Sequence, residues 1–301
     1  MKRITLSLAT VLFCLTAFAK DQPVRPRIKG IAQVRLLVTD ADRSRAFYDG
    51  ILKIGPRLNR CPKSESLCFS LGQDQQIVLQ QAGISVAPSL LIEAALETDN
   101  AAQLHSYLES KGAAPGQLSK SPEGNQSFAI SDPEGHHIVF VQYPSSDNSL
   151  TTLNQISTHM IHAGFVVHDR DAEDKFYKDI LGFHVYWHGG MKEGEDNWVD
   201  MQVPDGTDWI EYMLKVPDNA SHKQLGVMNH IALGVPDIQA AKEQLIKNGW
   251  KGTEEPKIGR DGKWQLNLYD PDETRVEMME FKPTKEPCCS SYTGPHPGPP
   301  Q

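Results

Sequence analysis

One pattern of apolar and polar residues occurs twice along the chain. Gln33 begins the segment QVRLLVTDADRSRAFYDGIL, and a similar segment, HAGFVVHDRDAEDKFYKDIL, begins 129 residues later at His162. Each contains an apolar strand, an aspartate-bearing turn, and then apolar residues at positions i, i+1, i+4 and i+5. This spacing places the apolar side chains on one face of a helix, which indicates a helix packed on a sheet.

A second pair of similar segments follows the first. Residues 93–112, EAALETDNAAQLHSYLESKG, correspond to residues 230–249, HIALGVPDIQAAKEQLIKNG, and both end on a glycine that is typical of a helix end. An Asp-Pro turn then separates further strands in both, at Asp132 and at Asp270. The sequence therefore predicts an α+β protein built from four copies of a strand, a helix and several strands.

The four copies group into two domains. We expect the first domain at residues 28–144 and the second at 158–283, since this size is ordinary for domains. Residues 145–157 are rich in Ser, Thr, Asn and Asp and predict a linker. Residues 284–301 are rich in Pro, Gly and Ser and predict a disordered tail.

The first 19 residues are typical of a signal peptide. Lys2 and Arg3 precede an apolar run, and Ala17-Phe18-Ala19 forms a small-residue cleavage site. The run is shorter than the roughly 20 residues that span a bilayer, which disfavours a membrane anchor. We therefore expect an exported protein, periplasmic or extracellular, that does not remain in the membrane after cleavage.

The net charge disfavours nucleic acid as a partner, and the cysteine content bears on possible disulfides. The formal net charge of −8 would repel nucleic acid, and the sequence has no basic stripe to offset it. In an oxidising compartment Cys61 and Cys68 are free to close a short disulfide loop. A small-molecule substrate is the expected partner.

The repeated motifs resemble the vicinal oxygen chelate superfamily, which includes glyoxalase I, bleomycin resistance proteins and extradiol dioxygenases. The resemblance rests on His162 with Phe176-Tyr177 and Leu181-Gly182-Phe183, on His230 at the start of a strand that ends Val235-Pro236-Asp237, and on Asp270-Pro271 ahead of Glu277. It implies paired βαβββ modules that form two cupped sheets, with one divalent metal. Four modules in one chain suit either a monomer or a homodimer.

The resemblance implies four metal ligands in the second domain: His162, Glu211, His230 and Glu277. Strand alternation supports this, because Glu211 shares a face with Trp209 and Met213 in an apolar row. A carboxylate buried in such a row costs several kcal/mol unless a cation neutralises it. The donor set suits Zn, Ni, Fe, Mn or Co, and the sequence does not choose among them.

Two other residues compete for roles near this site. Glu280 is the rival of Glu277, but its side chain would face the opposite way along the strand. His188 is the best additional candidate for proton transfer. Trp187, Trp198, Trp209 and Trp264 suit either a pocket lining or the core.

The first domain lacks this set of ligands. The alignment places Gln33 opposite His162, Glu93 opposite His230 and Val139 opposite Glu277, and the partner of Glu211 lies near Val78. Two oxygen donors without imidazole make a weak metal site. The first domain is therefore expected to be a structural or pocket-covering partner.

Three functions follow from the resemblance. The first is a glyoxalase-like lyase or isomerase, in which Glu277 removes a proton next to a carbonyl. The second is an extradiol ring-cleaving dioxygenase, with Tyr269 near the place of the family's active-site tyrosine, although residues 206–210 lack that family's catalytic histidine. The third is a non-catalytic small-molecule binding or resistance protein.

Overall fold

The computed structural model describes residues 23–55, 61, 67–72, 74–82, 89–144 and 154–299. The expected signal peptide and residues 145–153 of the expected linker lie outside these ranges. Within them, no helix combines the length and apolar character needed to cross a bilayer.

The first domain contains one mixed sheet of seven described strands. Its described strands follow the order β2-β3-β1-β4-β7-β6-β5, in which β1 and β4 pair antiparallel at the centre. The described elements are β1 (Ile28–Val38), α1 (Ala41–Arg45), β2 (Cys68–Leu71), β3 (Gln75–Gln81), β4 (Leu91–Thr98), α2 (Ala101–Ser110), β5 (Ser119–Lys120), β6 (Gln126–Ser131) and β7 (His137–Gln142).

The second domain repeats this plan. Its strand order is β13-β14-β15-β12-β8-β11-β10-β9, with β8 and β12 antiparallel at the centre. The elements are β8 (His159–Val166), α3 (Arg170–Asp174), β9 (His184–Gly189), β10 (Trp198–Gln202), β11 (Trp209–Met213), α4 (His222–Met228), β12 (His230–Val235), α5 (Ile238–Lys247), β13 (Lys257–Ile258), β14 (Trp264–Tyr269) and β15 (Arg275–Glu280). Two mixed, curled sheets with few helices confirm the predicted α+β fold.

The repeated aspartates of the sequence begin the repeated helices. Asp40 and Asp169 accept backbone N–H groups of α1 and α3, and Asp237 does the same for α5. These contacts satisfy N–H groups that a first helical turn leaves unpaired. Helices α1 and α3 then continue as π-helical turns over Ala46–Ile51 and Lys175–Ile180. The apolar residues of these turns, Phe47, Tyr48, Phe176 and Tyr177, are buried.

Buried polar contacts join the two domains. Asp208 accepts the backbone N–H of Ile31 at 2.8 Å. The amide of Gln75 donates to the carbonyl oxygens of Ile31 and Met160 at 2.9 and 2.8 Å. One hydrophobic core extends through both domains. The first domain therefore supports the central strand β8 of the second.

The carboxyl-terminal segment differs from its prediction. Residues 284–299 do not form a free tail, because they follow the edge of the second domain with specific hydrogen bonds. Trp187 Nε1 donates to Cys288 O at 3.1 Å, Tyr292 OH donates to Asp261 O at 2.7 Å, and Thr293 N donates to Tyr186 O at 3.0 Å. Tyr292 also packs on Tyr186, with ring centroids 4.7 Å apart. The Pro, Gly and Ser content of this segment indicates that it forms no helix or strand of its own, but it does not report whether the segment binds to the surface of the second domain.

Two disulfides are present in the described residues. Cys61 and Cys68, the predicted pair, are joined across the first domain's β2 edge with a Cα–Cα distance of 5.8 Å. The adjacent residues Cys288 and Cys289 are joined in the carboxyl-terminal segment.

Candidate metal centre

Four neighbouring strands carry the four predicted ligands on one face of the second sheet. In the order β15-β12-β8-β11 these residues are Glu277, His230, His162 and Glu211. The strand register forms two adjacent rows. Glu211 and His230 both lie opposite Gly164, while Glu277 and His162 both lie opposite Ala232. Alternation along β8 therefore places both rows on the same face of the sheet.

The two imidazoles lie next to each other on this face of the sheet. His162 Nε2 lies 3.0 Å from His230 Nε2, and both side chains are fully buried. His230 Nδ1 donates to the carbonyl oxygen of Met228 at 2.9 Å, so Nε2 is the atom that points into the site. This orientation is typical of metal-binding histidine, because the second nitrogen fixes the ring.

Gly164 makes room for the His230 ring. A Cβ atom at this position would overlap His230 Cε1 and Nδ1. In the first domain the corresponding position holds Arg35, which lies opposite Glu93 and Val78. Gly164 therefore allows an imidazole to pack on the second sheet at a position where the first sheet carries the Arg35 side chain.

The carboxylates of Glu211 and Glu277 both lie close to the two imidazoles. Glu211 Oε2 lies 3.5 Å from His162 Nε2 and 3.1 Å from His230 Nε2. Glu277 Oε2 lies 3.9 and 3.5 Å from the same two nitrogens. Ligand atoms from His162, His230 and Glu277 all lie within 4.8 Å of one another.

The spacing of these atoms fits a bound divalent cation. A metal with bonds of about 2.1 Å separates neighbouring ligand atoms by roughly 3.0–3.4 Å. The observed distances of 3.0 to 3.9 Å bracket this range. Glu211 Oε2 is buried and accepts no hydrogen bond from the described residues, as expected for an atom oriented toward a cation. The residues present are therefore candidate ligands, and they leave the identity of the metal open.

Arg275 adds a positive charge beside the cluster. Its Nη2 lies 2.6 Å from His230 Nε2, and its Nη1 lies 3.8 Å from Glu277 Oε2. Burial raises the pKa of Glu277, but the Arg275 charge and a hydrogen bond with His230 outweigh it and lower the pKa to about 2. Burial lowers the pKa of His162 to about 3. His162 is therefore neutral at physiological pH, the form that binds metal.

The other predicted residues lie outside the cluster. Glu280 accepts the backbone N–H of Ile238 at 3.0 Å and so caps α5 from the opposite face of β15. Tyr269 is 40% exposed at the end of β14 and does not line the cavity beside the cluster, so its predicted catalytic role receives no support. His188 contacts Asp196 at 2.8 Å on the outer strand β9.

The corresponding face of the first domain has the composition that the alignment predicts. Val78 and Val139 occupy the positions of Glu211 and Glu277 in the strand register. Glu93 accepts a hydrogen bond from Gln33 at 3.1 Å, and it also lies near Arg35 and His137 at 3.7 and 3.2 Å. Because its charge is already paired within the protein, this face does not require a metal.

A cavity of about 300 Å³ opens above the carboxylates. Trp187 and Trp198 line it, whereas Trp209 is buried against the His162 ring and Trp264 packs on the main core. Its cationic lining side chains are Lys257, Arg260 and Arg275. Its acidic lining side chains are Asp200, Glu211, Asp261 and Glu277, so the cations do not outnumber the anions. The aromatic wall suits a small molecule that carries an apolar or planar part.

Sequence reasoning missed one half-buried and one buried cation near the site. Arg275 lies two residues before Glu277, and strand alternation alone places both side chains on one face. Lys263 is fully buried, with Nζ 4.5 Å from the Trp209 ring centroid and 5.2 and 5.3 Å from those of Tyr186 and Tyr292. Because Tyr292 belongs to the carboxyl-terminal segment, no local sequence signal indicates this aromatic cage around Lys263.

Comparison with known proteins agrees with this geometry. Residues 159–278 match the Glyoxalase/Bleomycin resistance protein/Dioxygenase superfamily, the same region that carries the cluster. The second domain is therefore similar to this superfamily, which is also called the vicinal oxygen chelate superfamily.

Two curated relatives are lactoylglutathione lyases. A probable chloroplastic lactoylglutathione lyase of Arabidopsis thaliana is 24% identical over 152 residues, which cover 49% of this chain and 43% of the relative. A lactoylglutathione lyase of Haemophilus influenzae is 29% identical over 128 residues, which cover 42% of this chain and 95% of the relative. The chain thus spans less than half of the plant protein and nearly all of the bacterial one.

Solved structures resemble the whole two-domain arrangement. Homoprotocatechuate 2,3-dioxygenase of Brevibacterium fuscum, in complex with 3,4-dihydroxyphenylacetate, superposes with a TM-score of 0.64 at 17% identity and covers 89% of this chain and 86% of its own. The enzyme of the same name from Arthrobacter globiformis gives a TM-score of 0.63 at 19% identity, with coverages of 89% and 85%. At this identity the likeness establishes the fold.

Proposed function

We propose that this protein is an exported, metal-dependent lyase or isomerase of the glyoxalase kind, acting on a small substrate with neighbouring oxygens. His162, Glu211 and His230 would hold the metal, with Glu277 as a fourth ligand. When bound, the divalent metal would stabilise negative charge that develops on a substrate oxygen.

The contact of Glu211 with both imidazoles carries this proposal. A His-Glu-His-Glu set supplies four protein ligands, as the resemblance to glyoxalase I implies, whereas the extradiol pattern uses two histidines and one glutamate. Glu211 lies closer to each imidazole than Glu277 does, at 3.5 and 3.1 Å against 3.9 and 3.5 Å. We therefore include Glu211 as a ligand in addition to His162, His230 and Glu277, whose ligand atoms lie within 4.8 Å of one another. The two lactoylglutathione lyase relatives support the same class of reaction.

Glu277 is the proton-transferring group in this proposal. It is the carboxylate farther from both imidazoles, and it lines the cavity. Its carboxylate takes a proton from the hydroxyl-bearing carbon next to a carbonyl and returns it to the carbonyl carbon, while the hydroxyl proton passes to the former carbonyl oxygen, so that the substrate is isomerised without net oxidation. Arg275 lies beside Glu277 and orients it.

Two cations at the edge of the cavity favour a substrate with one anionic group. Lys257 and Arg260 stand at its edge, where they attract a carboxylate or a similar group. Trp187 and Trp198 contact the apolar part. Export separates the protein from cytosolic glutathione, so we propose a 2-hydroxycarbonyl compound or a thiol adduct of a 2-oxoaldehyde other than the glutathione adduct. The signal-like first 19 residues and the two disulfides support export.

The test combines proton exchange with a matched pair of variants. The mature protein is incubated in deuterium oxide with a panel of 2-hydroxycarbonyl compounds and of thiol adducts of 2-oxoaldehydes, and label at the α-carbon is followed by NMR. Glu277→Gln should reduce exchange at least about 100-fold, while Glu280→Gln, on the opposite face of β15, should keep it. If no substrate exchanges label, or if Glu277→Gln exchanges as fast as the unaltered protein, the isomerase proposal fails.

A second candidate is an extradiol-type dioxygenase. The two-domain likeness to the homoprotocatechuate dioxygenases favours it, since that likeness extends over 89% of the chain. Oxygen uptake with a catechol panel after loading with ferrous iron would detect this activity, and uptake that requires His162, His230 and Glu277 but not Glu211 would support it over the isomerase.

A further inference from the structure

A second group of metal-binding side chains lies where the two domains meet, away from the cluster described above. Asp132 and His136 belong to the turn between β6 and β7 of the first domain, and Glu173 belongs to α3 of the second. One ligand atom from each lies within 4.8 Å of the others. We call these three residues the seam cluster.

The hydrogen bonds of the seam cluster leave one buried oxygen free. Asp132 Oδ1 accepts the backbone N–H of His136 at 2.8 Å, and Oδ2 lies 2.8 Å from His136 Nδ1 and accepts Tyr177 OH at 3.1 Å. Glu173 Oε1 accepts the backbone N–H of Glu134 at 2.9 Å. Glu173 Oε2 has no partner among the described residues, although Glu173 is completely buried.

The charges that act most strongly on Glu173 are negative. Asp132, Glu134 and Asp169 act on its carboxylate, and among the described residues no lysine or arginine pairs with it. Burial, followed by the Asp132 charge, raises the pKa of Glu173 to about 8. A buried, unpaired carboxylate costs several kcal/mol unless a proton or a cation neutralises it. The site therefore favours a positively charged occupant.

The equivalent seam on the other side of the molecule lacks this charge. Tyr48 donates to Asp270 at 3.0 Å there, as Tyr177 donates to Asp132. Ser44 occupies the position of Glu173, and Thr274 occupies the position of His136. The same packing between helix and turn thus forms with two neutral hydroxyl residues. Since the fold does not require an imidazole and a second carboxylate at a seam, their presence on one side calls for a different explanation.

We propose that Asp132, His136 and Glu173 bind a second divalent cation of the first transition row, such as Zn²⁺, and so clamp the two domains together. One imidazole and two carboxylates suit such an ion. Binding uses the free Oε2 of Glu173 and an Asp132 oxygen, and it requires a neutral His136 ring whose proton lies on the other nitrogen. A cation held by residues of both domains would also stabilise their association.

The experiment compares the number of bound metal ions in the unaltered protein and in a variant. The variant carries, at the seam cluster, the residue types found at the equivalent positions of the opposite seam. The mature protein and His136→Thr/Glu173→Ser are stripped with a chelator, equilibrated with buffered Zn²⁺ and analysed by plasma mass spectrometry. We expect two ions per chain in the unaltered protein and one in the double variant. His162→Ala/His230→Ala should lose the other ion and keep the seam ion. Asp171→Asn, on the exposed side of α3, should keep both.

Thermal unfolding provides a second readout that does not depend on activity. Zn²⁺ should raise the unfolding temperature of His162→Ala/His230→Ala, which retains the seam cluster, and this increase should disappear when Glu173→Gln is added. Retention of two ions by His136→Thr/Glu173→Ser would overturn the proposal. So would a stoichiometry of one ion in the unaltered protein that falls to zero in His162→Ala/His230→Ala, because a proton would then be the occupant of the seam.

Discussion

Tyr48 and Asp270 stand 222 positions apart in the sequence, yet the phenol of one donates a 3.0 Å hydrogen bond to the carboxylate of the other. Both side chains are buried. Tyr177 and Asp132 repeat the contact at 3.1 Å with the roles of the two domains exchanged. The internal sequence repeat is thus also a repeat of the contacts that join the domains, and each domain supplies one donor and one acceptor.

Removing one of these donors should destabilise the protein without disturbing the metal cluster. Tyr48→Phe leaves the buried Asp270 carboxylate without its phenol partner and should lower the free energy of unfolding by about 1–3 kcal/mol. Urea denaturation measures the loss. In the double-mutant cycle with Asp270→Asn, a coupling energy near zero would show that the contact does not join the domains energetically.

Glu211→Gln should weaken metal retention at the second-domain cluster at least about 10-fold, because a neutral amide replaces a carboxylate that contacts both imidazoles. Competition with a chromophoric chelator measures the affinity. Glu280→Gln is the matched control, since its amide oxygen can still accept the Ile238 N–H on the opposite face of β15. Equal affinities in the two variants would remove Glu211 from the ligand set.

Gly164→Ala should displace the His230 ring, because the added methyl group would occupy the space of the imidazole. We expect a loss of metal affinity together with about 1–3 kcal/mol of stability, typical of overpacking in a core. Gly50→Ala is the control, as no atom lies within 4 Å of the Cβ that it adds. Normal metal binding by Gly164→Ala would show that the ring accommodates the methyl group.

Stability should fall as the pH rises through the titration of His159. Burial opposes its charge, but Asp208, 2.7 Å away, raises the pKa of His159 from 6.5 to about 9. Because the folded state binds this proton more tightly than the unfolded state, the contribution is complete below pH 6.5 and is lost as the pH rises through about 9. It amounts to something on the order of 3 kcal/mol.

Denaturation with urea at pH 6, 7.5 and 9.5 tests this pH dependence, with His159→Gln as the comparison. Chelator in every sample excludes metal effects. The variant should have a flatter profile over this range. A slope equal to that of the unaltered protein would assign the loss of stability to other groups.

A chain that ends at Pro283 should lose the cover of its aromatic cage. Removal of Tyr292 exposes Tyr186 and Lys263, and removal of Cys288 deletes the acceptor of Trp187 Nε1. We expect a red shift of tryptophan fluorescence and a lower unfolding temperature. A chain that ends at Pro299 is the control, and an identical spectrum for both truncations would contradict a structural role for this segment.

The repeat explains how much of the site could be predicted from sequence. Aligning one half of the chain with the other placed Val78 and Val139 opposite Glu211 and Glu277, and the strand register agrees. Glu280 could be separated from Glu277 by strand alternation alone. These successes depend on local periodicity and on internal comparison, both of which a single sequence contains.

The residues that were missed depend on contacts between distant segments. Lys263 lies in the short connection between β13 and β14. Only folding of the chain brings the rings of Tyr186, Trp209 and Tyr292 around it. The predicted disordered tail was wrong over residues 284–299 for the same reason, since its Pro and Gly residues carry no periodic signal while its hydrogen-bond partners lie some 100 residues earlier. Tyr269 was assigned by position along the chain, which does not report its 40% exposure at a strand end.

The carboxyl-terminal segment reaches the cavity through one of the residues that line it. The carbonyl oxygen of Cys288 accepts a hydrogen bond from Trp187 Nε1, and Trp187 lines the cavity beside the cluster. Displacement of the segment would release this indole ring and so change the shape of the cavity without altering any of the candidate ligands.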